Sequence, residues 1–281
     1  MRVLTGHAKL AGVMGWPVAH SRSPRLHGFW LTQHDIDGAY LPLGVRPENL
    51  GLALKALPAM GFAGANLTVP HKTAALSLVD RVSDEARRIG AINTVVVTAD
   101  GKLAGSNTDA YGFLTHLQAS TPAWKPGNGP AVLLGAGGAA RAIAVALLDA
   151  GIGELRIVNR TASHAEALAA EFGRGVKAIE WRARDEALAG AALLVNSTTL
   201  GMQGQPALEI GLQRLPESAV VYDIVYVPLE TPLLAAARAR GNPTVDGLGM
   251  LLHQAVPGFA AWFGVTPKVS PELREFVLAT L

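Results

Sequence analysis

Four stretches carry side chains whose types and spacing suit chemistry. Val18-Ala-His-Ser-Arg-Ser-Pro24 brings His20, Ser21 and Ser23 to the point where an apolar run gives way to a helical period. Asn66-Leu-Thr-Val-Pro-His-Lys72 brings Asn66, Thr68 and Lys72, Gly90-Ala-Ile-Asn-Thr94 brings Asn93, and Asn107-Thr-Asp109 brings a carboxylate. Ser23 reads as a helix N-cap with Pro24 as the first helical residue, and hydroxyls there can grip a small carboxylate. Lys72 reads as lying in the first turn of a helix opened by Thr68 and Pro70. The helix dipole there disfavours an ammonium and lowers its pKa. A lysine set against the local field is a candidate proton-transfer group, and Asp109 is the carboxylate such a relay needs. The plainer alternatives are a solvated surface lysine and a simple capping cluster at residues 107–109. Together these hydroxyls, amides, one lysine and one carboxylate suit a polyhydroxy acid and a single proton transfer.

A second constellation stands further along. The apolar run Ala131 to Leu134 ends in Gly135-Ala-Gly137-Gly-Ala-Ala140, and a charge-poor amphipathic helix follows to about Ala150. This is a strand entering a helix through a glycine turn able to cradle a dinucleotide pyrophosphate. Gly135 permits the turn, Gly137 lets phosphate approach the backbone, and small Ala140 lets helix and strand pack closely. The next strand, Glu154 to Val158, ends in Asn159-Arg160-Thr161 with no acid. A carboxylate at that point would accept the ribose 2′-hydroxyl of NAD. An arginine without one favours a 2′-phosphate, hence NADP, because the guanidinium fork matches phosphate.

The elements that must position these residues alternate strand and helix. Strands are expected at Lys9–Gly15, Gly38–Leu43, Phe62–Leu67, Val95–Thr98, Leu193–Asn196, Val220–Val225 and Thr244–Asp246, with helices between, so the fold class is α/β. From Leu248 the pattern is helical to about Trp262, with a break or kink expected at Pro257-Gly258. Lys125-Pro-Gly-Asn-Gly-Pro130 reads as a linker before the glycine-turn strand. A chain of 281 residues with 49% hydrophobic and 16% charged residues can form one large or two medium well-buried domains.

A formal charge of +2 with no Lys/Arg block argues against nucleic-acid or membrane partners. The absence of cysteine excludes disulfides, thiolate nucleophiles and cysteine-held metals, and a cytoplasmic location is the default expectation. No secretory leader is expected, since His7 and Lys9 interrupt the first apolar residues. The histidines show no metal-ligand spacing, so no metal is expected.

With these residues in view the chain resembles the shikimate dehydrogenases, NADP-dependent enzymes, essentially from end to end. The blocks that carry the resemblance occur in collinear order. They are Gly15-Trp-Pro-Val-Ala-His-Ser-Arg-Ser-Pro24, Asn66 to Lys72, Gly90 to Thr94, Asn107 to Asp109, Gly135 to Ala140 and Asn159-Arg-Thr161. Then follow Asn196-Ser-Thr-Thr-Leu-Gly-Met202, Tyr222-Asp-Ile-Val-Tyr-Val-Pro228 and Asp246-Gly-Leu-Gly-Met-Leu-Leu-His-Gln254. The resemblance implies a substrate-binding and catalytic α/β domain of residues 1–108 plus 247–281, the C-terminal helices returning to it. It implies a Rossmann-type doubly wound NADP-binding domain of residues 109–246.

It further implies that Ser21 and Ser23 hold the substrate carboxylate, and that Thr68, Asn93, Asp109, Tyr226 and Gln254 contact the rest of shikimate. Lys72 is implied as acid/base, paired with Asp109. Gly135, Ala136, Gly137, Gly138 and Ala139 would cradle the pyrophosphate, and Asn159, Arg160 and Thr161 the 2′-phosphate. Ile224 and Gly247 would lie near the nicotinamide, and Asp84 also beside the cofactor.

The implied activity is reversible reduction of 3-dehydroshikimate by NADPH, by a monomer or homodimer. One departure stands out: members commonly carry Lys or Arg three residues after the Asn-Arg-Thr threonine, and this chain has His164. A histidine donates a hydrogen bond but adds charge only below a pKa of about 6.5, so a weaker or pH-dependent NADP preference is expected. The rival readings are a quinate or dual quinate/shikimate dehydrogenase using NAD, and a non-catalytic sensor of the same acids. The sensor would need neither Lys72 nor Asp109, and both are present.

Overall fold

Short apolar runs bounded by glycine, proline and polar turns alternate along the chain with helical periods, and the backbone follows that alternation. The structure, a computed structural model, describes residues 3–279. It divides into two units, one taking the chain up to Asp109 and from Leu252 onward, the other Ala110–Leu251.

The first unit begins with β1 (Lys9–Gly15), α1 (Ser23–Gln33), β2 (Gly38–Gly44), α2 (Leu50–Ala59) and β3 (Phe62–Leu67). It continues with β4 (Arg81–Val82), α3 (Asp84–Ile89), β5 (Thr94–Val97) and β6 (Leu103–Ser106). The strands form one sheet in the order β2-β1-β3-β5-β6-β4. β1 pairs in parallel with β2 and β3, whereas β5 runs antiparallel to β3 and β6. On one face Leu50, Leu54 and Leu57 of α2 pack with Met14, Ala65, Leu67 and Val95 of the sheet. That burial, not local propensity, holds so short a helix.

α4 (Asp109–Ser120) leads into the second unit. There follow β7 (Ala131–Leu134), α5 (Gly138–Asp149), β8 (Leu155–Asn159), α6 (Ala162–Phe172), β9 (Val176–Glu180), β10 (Leu193–Asn196), β11 (Val220–Asp223), α7 (Pro232–Ala239) and β12 (Thr244–Val245). The sheet is wholly parallel, in the order β12-β11-β10-β7-β8-β9. This is the doubly wound Rossmann arrangement, in which strand order reverses beside β7 and the ends of β7 and β10 flank the switch point. Every residue of β7, β10 and β11 is buried, which is why these strands read as continuous apolar runs instead of alternating ones. α8 (Leu248–Phe263) and α9 (Pro271–Leu278) end the described chain.

Three local expectations differ from the structure. The divisions fall at 109/110 and 251/252 instead of 108/109 and 246/247. The first turn of α8 packs within the second unit. A Cβ on Gly247 would lie 2.1 Å from the Ile224 carbonyl oxygen, and one on Gly249 would lie 2.0 Å from the His116 ring.

No α-helix follows β3. The Lys72 carbonyl accepts from the distant Ile92 amide at 2.8 Å, and only a 3₁₀ turn forms, at Ala74–Ser77. The dipole argument for Lys72 therefore has no helix to act from. Finally, α8 runs unbroken through Pro257, because the buried Phe259, Trp262 and Phe263 anchor the turns beyond it.

The other face of the first unit's sheet carries an aromatic cluster centred on His27. Its ring stacks on Tyr40 with centroids 3.9 Å apart and 7° between planes, and Trp30, Phe259 and Trp262 surround it. Among the described residues both ring nitrogens lack a partner, and burial lowers the His27 pKa from 6.5 to about 3. The folded chain thus keeps His27 neutral while the unfolded chain protonates it, so its stability contribution is complete above the unfolded pKa and declines as pH falls. The expected outcome is that wild type loses about 2 kcal/mol more stability than His27→Phe between pH 7 and 5, checked by urea unfolding at both pH values.

Candidate functional site

In the first unit the polar groups converge on Asp109, the first residue of α4. Its amide donates to Asn107 Oδ1 at 2.9 Å, so Asn107 turns the chain into the helix and fixes where the carboxylate stands. Asp109 Oδ2 accepts from Lys72 Nζ at 2.7 Å, and Oδ1 accepts from Asn93 Nδ2 at 2.8 Å. The Lys72 side chain is 31% exposed and that of Asp109 11%, so the ammonium faces outward from a carboxylate that is largely enclosed. Both carboxylate oxygens are tied, and the lysine has a single defined resting place.

Asn93 is itself fixed from several sides. Its Oδ1 accepts from the Thr108 amide at 2.9 Å and the Thr94 hydroxyl at 2.9 Å. Asn66 Nδ2 donates to the Asn93 carbonyl at 3.0 Å and to Thr94 Oγ1 at 3.1 Å. Tyr40 in turn donates its hydroxyl to Asn66 Oδ1 at 2.5 Å. Burial pushes the Tyr40 phenol well above its ordinary pKa, with a hydrogen bond from Ser23 working the other way. A buried, fully paired network of this kind is rigid, because any rotated amide would leave an unsatisfied polar group away from water.

The other residues singled out on the substrate side are distributed as follows. Ser21 is half-buried after β1, and its hydroxyl accepts from the Ser23 amide at 3.3 Å. Ser23 is not the N-cap but the first residue of α1, 8% exposed. Arg22 occupies the capping position without a side-chain bond, and the Ser21 hydroxyl takes up the amide of Ser23 itself. Thr68 is half-buried after β3, its amide bonded to the Met14 carbonyl at 2.9 Å. Gln254, on α8, is half-buried, with Oε1 3.5 Å from both Asn93 Nδ2 and Thr108 Oγ1. These residues share the first unit with Lys72 and Asp109. Tyr226 belongs to the second unit, in the loop after β11. Asp84, the exposed first residue of α3, belongs to the first.

In the second unit the glycine turn joins β7 to α5. Gly135 has φ of +108°, and a Cβ there would lie 2.7 Å from Ser197 Oγ, so only glycine fits. Gly137 and Gly138 are exposed, and a Cβ on either would meet nothing within 4 Å. Gly137 caps α5 without any side-chain bond, leaving the helix's first amides, beside Ala136 and Ala139, open to an anion. These residues therefore fit a pyrophosphate. Asn159 ends β8 and donates to the Thr161 carbonyl at 2.9 Å, Arg160 is exposed, and Thr161 begins α6 with His164 exposed in its first turn. Ile224 and Gly247 lie against each other, their contact possible only because Gly247 lacks a Cβ.

Sequence reasoning assigned no role to Tyr40, nor to the Asn196–Asp223 pair that shapes the loops after β10 and β11. Asn196 Nδ2 donates to Asp223 Oδ1 at 2.9 Å, and Asp223 also accepts from Thr231 and the Val225 amide. Burial raises the Asp223 pKa to about 6 against those donors. The polar ends of two apolar strands, Asn196 and Asp223, were the available signal.

The family description "Shikimate dehydrogenase substrate binding domain" matches residues 13–95, and "Shikimate / quinate 5-dehydrogenase" matches residues 125–225. A shikimate dehydrogenase (NADP(+)) of Paramagnetospirillum magneticum is 62% identical over 276 residues, covering 98% of this chain and all of that one. Among solved structures, shikimate 5-dehydrogenase from Thermus thermophilus in complex with NADP(H) and shikimate is 41% identical. It has a TM-score of 0.86 and covers 97% of this chain and 100% of its own. Quinate dehydrogenase from Corynebacterium glutamicum in complex with NAD is 36% identical, with a TM-score of 0.89, covering 97% and 99%.

The open space over Gly137 yields a clean expectation. Gly137→Ala adopts the existing backbone (φ −85°, ψ −170°) with no clash, so the thermal midpoint stays where it is. The added methyl occupies the phosphate's approach, and dinucleotide affinity falls by about tenfold or more, as calorimetric titration would show.

Proposed function

This chain belongs to the shikimate dehydrogenase family, and on that premise we propose how its own residues carry the reaction. It is an NADP-dependent oxidoreductase that interconverts 3-dehydroshikimate and shikimate, a step of aromatic amino-acid biosynthesis. The observation that carries the residue-level reading is the Lys72–Asp109 contact of 2.7 Å, with Asn93 fixing the second carboxylate oxygen. A half-buried ammonium on an enclosed, immobilised carboxylate is suited to handing a proton to a bound ligand and taking it back.

In reduction, Lys72 donates its proton to the oxygen that develops at the substrate C3 carbonyl, and in oxidation it accepts the proton of that hydroxyl. Asp109 keeps the lysine oriented and accepts a substrate hydroxyl. Ser21 and Ser23 hold the substrate carboxylate, while Thr68, Asn93, Tyr226 and Gln254 take up the remaining polar groups. Bound NADP supplies the hydride chemistry. Gly135 to Ala139 would hold its pyrophosphate through backbone amides, and Asn159, Arg160, Thr161 and His164 its 2′-phosphate. Ile224 and Gly247 would flank the nicotinamide, with Asp84 also beside the cofactor. Among the described residues no helix is long and apolar enough to cross a membrane. A cytoplasmic setting suits a chain without cysteine.

The test is the loss of reduced-nicotinamide absorbance on adding 3-dehydroshikimate, with NADPH and NADH in parallel. Wild type is expected to consume NADPH in preference to NADH. Lys72→Ala is expected to lower kcat by roughly 10²–10⁴ with a much smaller change in KM, the signature of a lost proton-transfer group. A lysine variant that turned over at the wild-type rate would remove Lys72 from the chemistry.

A further inference from the structure

Beyond the end of β8 the second unit opens a cleft of about 420 Å³. Asn159 and Arg160 line it at the strand end, Thr198 at the loop after β10, and Trp181, Arg184 and Glu209 also contribute. Two guanidinium groups thus border one small space, although sequence alone drew attention to only one of them. Arg160 is exposed and makes no hydrogen bond or ion pair among the described residues, leaving its fork available.

Arg184 is built differently. Its Nε donates to the Glu209 carbonyl at 2.7 Å and its Nη1 to the Trp181 carbonyl at 3.0 Å. The guanidinium lies over the Trp181 ring, 5.2 Å from its centroid, and the side chain is 22% exposed. Asp185 Oδ1 is 3.9 Å from Nε, a distance that balances part of the charge without a direct hydrogen bond. Two backbone carbonyls and an aromatic face therefore lock the plane of the guanidinium, and Nη2 is left with no protein partner among the described residues. An arginine immobilised in this way gives up little side-chain entropy when it binds an anion.

No lysine or arginine stands on α6 to join Arg160, and its first turn carries His164. His164 is exposed on α6 and does not line the cleft, whereas Arg184 does. We propose that Arg184 is the second cation for the adenosine 2′-phosphate of the cofactor, acting with Arg160 across the cleft in place of a basic residue at 164. A phosphate dianion held by two guanidinium forks gains charge-assisted bonds that a 2′-hydroxyl cannot make, so Arg184 contributes to the choice of NADP over NAD. This rests on the reading of the β7 glycine turn as an NADP site.

The experiment is calorimetric titration with 2′,5′-ADP, which carries the 2′-phosphate, and with 5′-AMP, which lacks it. Wild type is expected to prefer 2′,5′-ADP. Arg184→Gln is expected to weaken 2′,5′-ADP by about tenfold while 5′-AMP stays within about twofold. Adding His164→Arg to that variant is expected to restore much of the lost affinity, which a purely structural role of Arg184 would not allow. Should Arg184→Gln not fold, Arg184→Lys serves: it keeps the charge but loses the fork, and is expected to weaken 2′,5′-ADP several-fold while 5′-AMP is unchanged. Equal weakening of both nucleotides, or no weakening of either, would overturn the proposal. Failure of wild type to bind either nucleotide would instead remove the NADP reading beneath it.

Discussion

The contact between Lys72 and Asp109 is the constraint to which the first unit is built. A lysine on a flexible four-carbon stem has no preferred position of its own, so something must hold it, and the carboxylate does so only if it is held in turn. Asn107 sets the start of α4, Asn93 ties the free carboxylate oxygen, and Thr94, Thr108, Asn66 and Tyr40 satisfy Asn93 and its surroundings. These residues come from β2, β3, β5, the segments flanking β5 and the turn into α4, so the sheet must be complete before the pair is assembled. The mixed strand order serves this. β5 lies antiparallel to β3, with Asn66 opposite Thr94, which puts the two polar ends side by side.

The second unit depends on a close approach instead of an ion pair. The parallel sheet puts the ends of β7 and β10 together, and Gly135 lies against Ser197 where any larger residue would collide. Beyond it the chain offers bare amides, because Gly137 caps α5 with no side chain of its own. The loops after β10 and β11 are fixed by Asn196 and Asp223, whose bond spans neighbouring strand ends. Position at the ends of the fully buried strands β7, β10 and β11 thus substitutes for the dense side-chain network found in the first unit.

How much of this could be read beforehand follows the physics of each signal. The strands bearing the glycine turn and its flanking loops were legible because they are fully buried and short, and both Lys72 and Asp109 were legible as a lysine and an acid at strand ends. The reason first given for Lys72 was not correct. It rested on a helix that tertiary bonding to Ile92 replaces with a turn, and no local pattern reveals a carbonyl claimed from twenty residues away. Ser23 as N-cap failed because the helix begins one residue earlier, with Arg22 at the capping position and the Ser23 amide bonded to Ser21. Pro257 was read as a helix break or kink by local rule, yet the helix is not broken there, since the apolar anchors on both sides outweigh one missing hydrogen bond. Tyr40 was invisible as part of the site, because an aromatic in a strand reads as core until its hydroxyl finds Asn66. Arg184 lay in a stretch without periodicity and gained meaning only from the cleft it borders.

Lys72, on this reading, acts by moving a proton and not merely by carrying charge. Chemical rescue of Lys72→Ala by small amines tests this directly, with methylammonium and tetramethylammonium compared at equal concentration. Methylammonium is expected to restore turnover in proportion to its concentration, and tetramethylammonium, charged but without a proton to give, is not. Equal restoration by the two, with both reaching the site, would show that only the positive charge beside Asp109 is needed, and the proton-transfer role would be wrong.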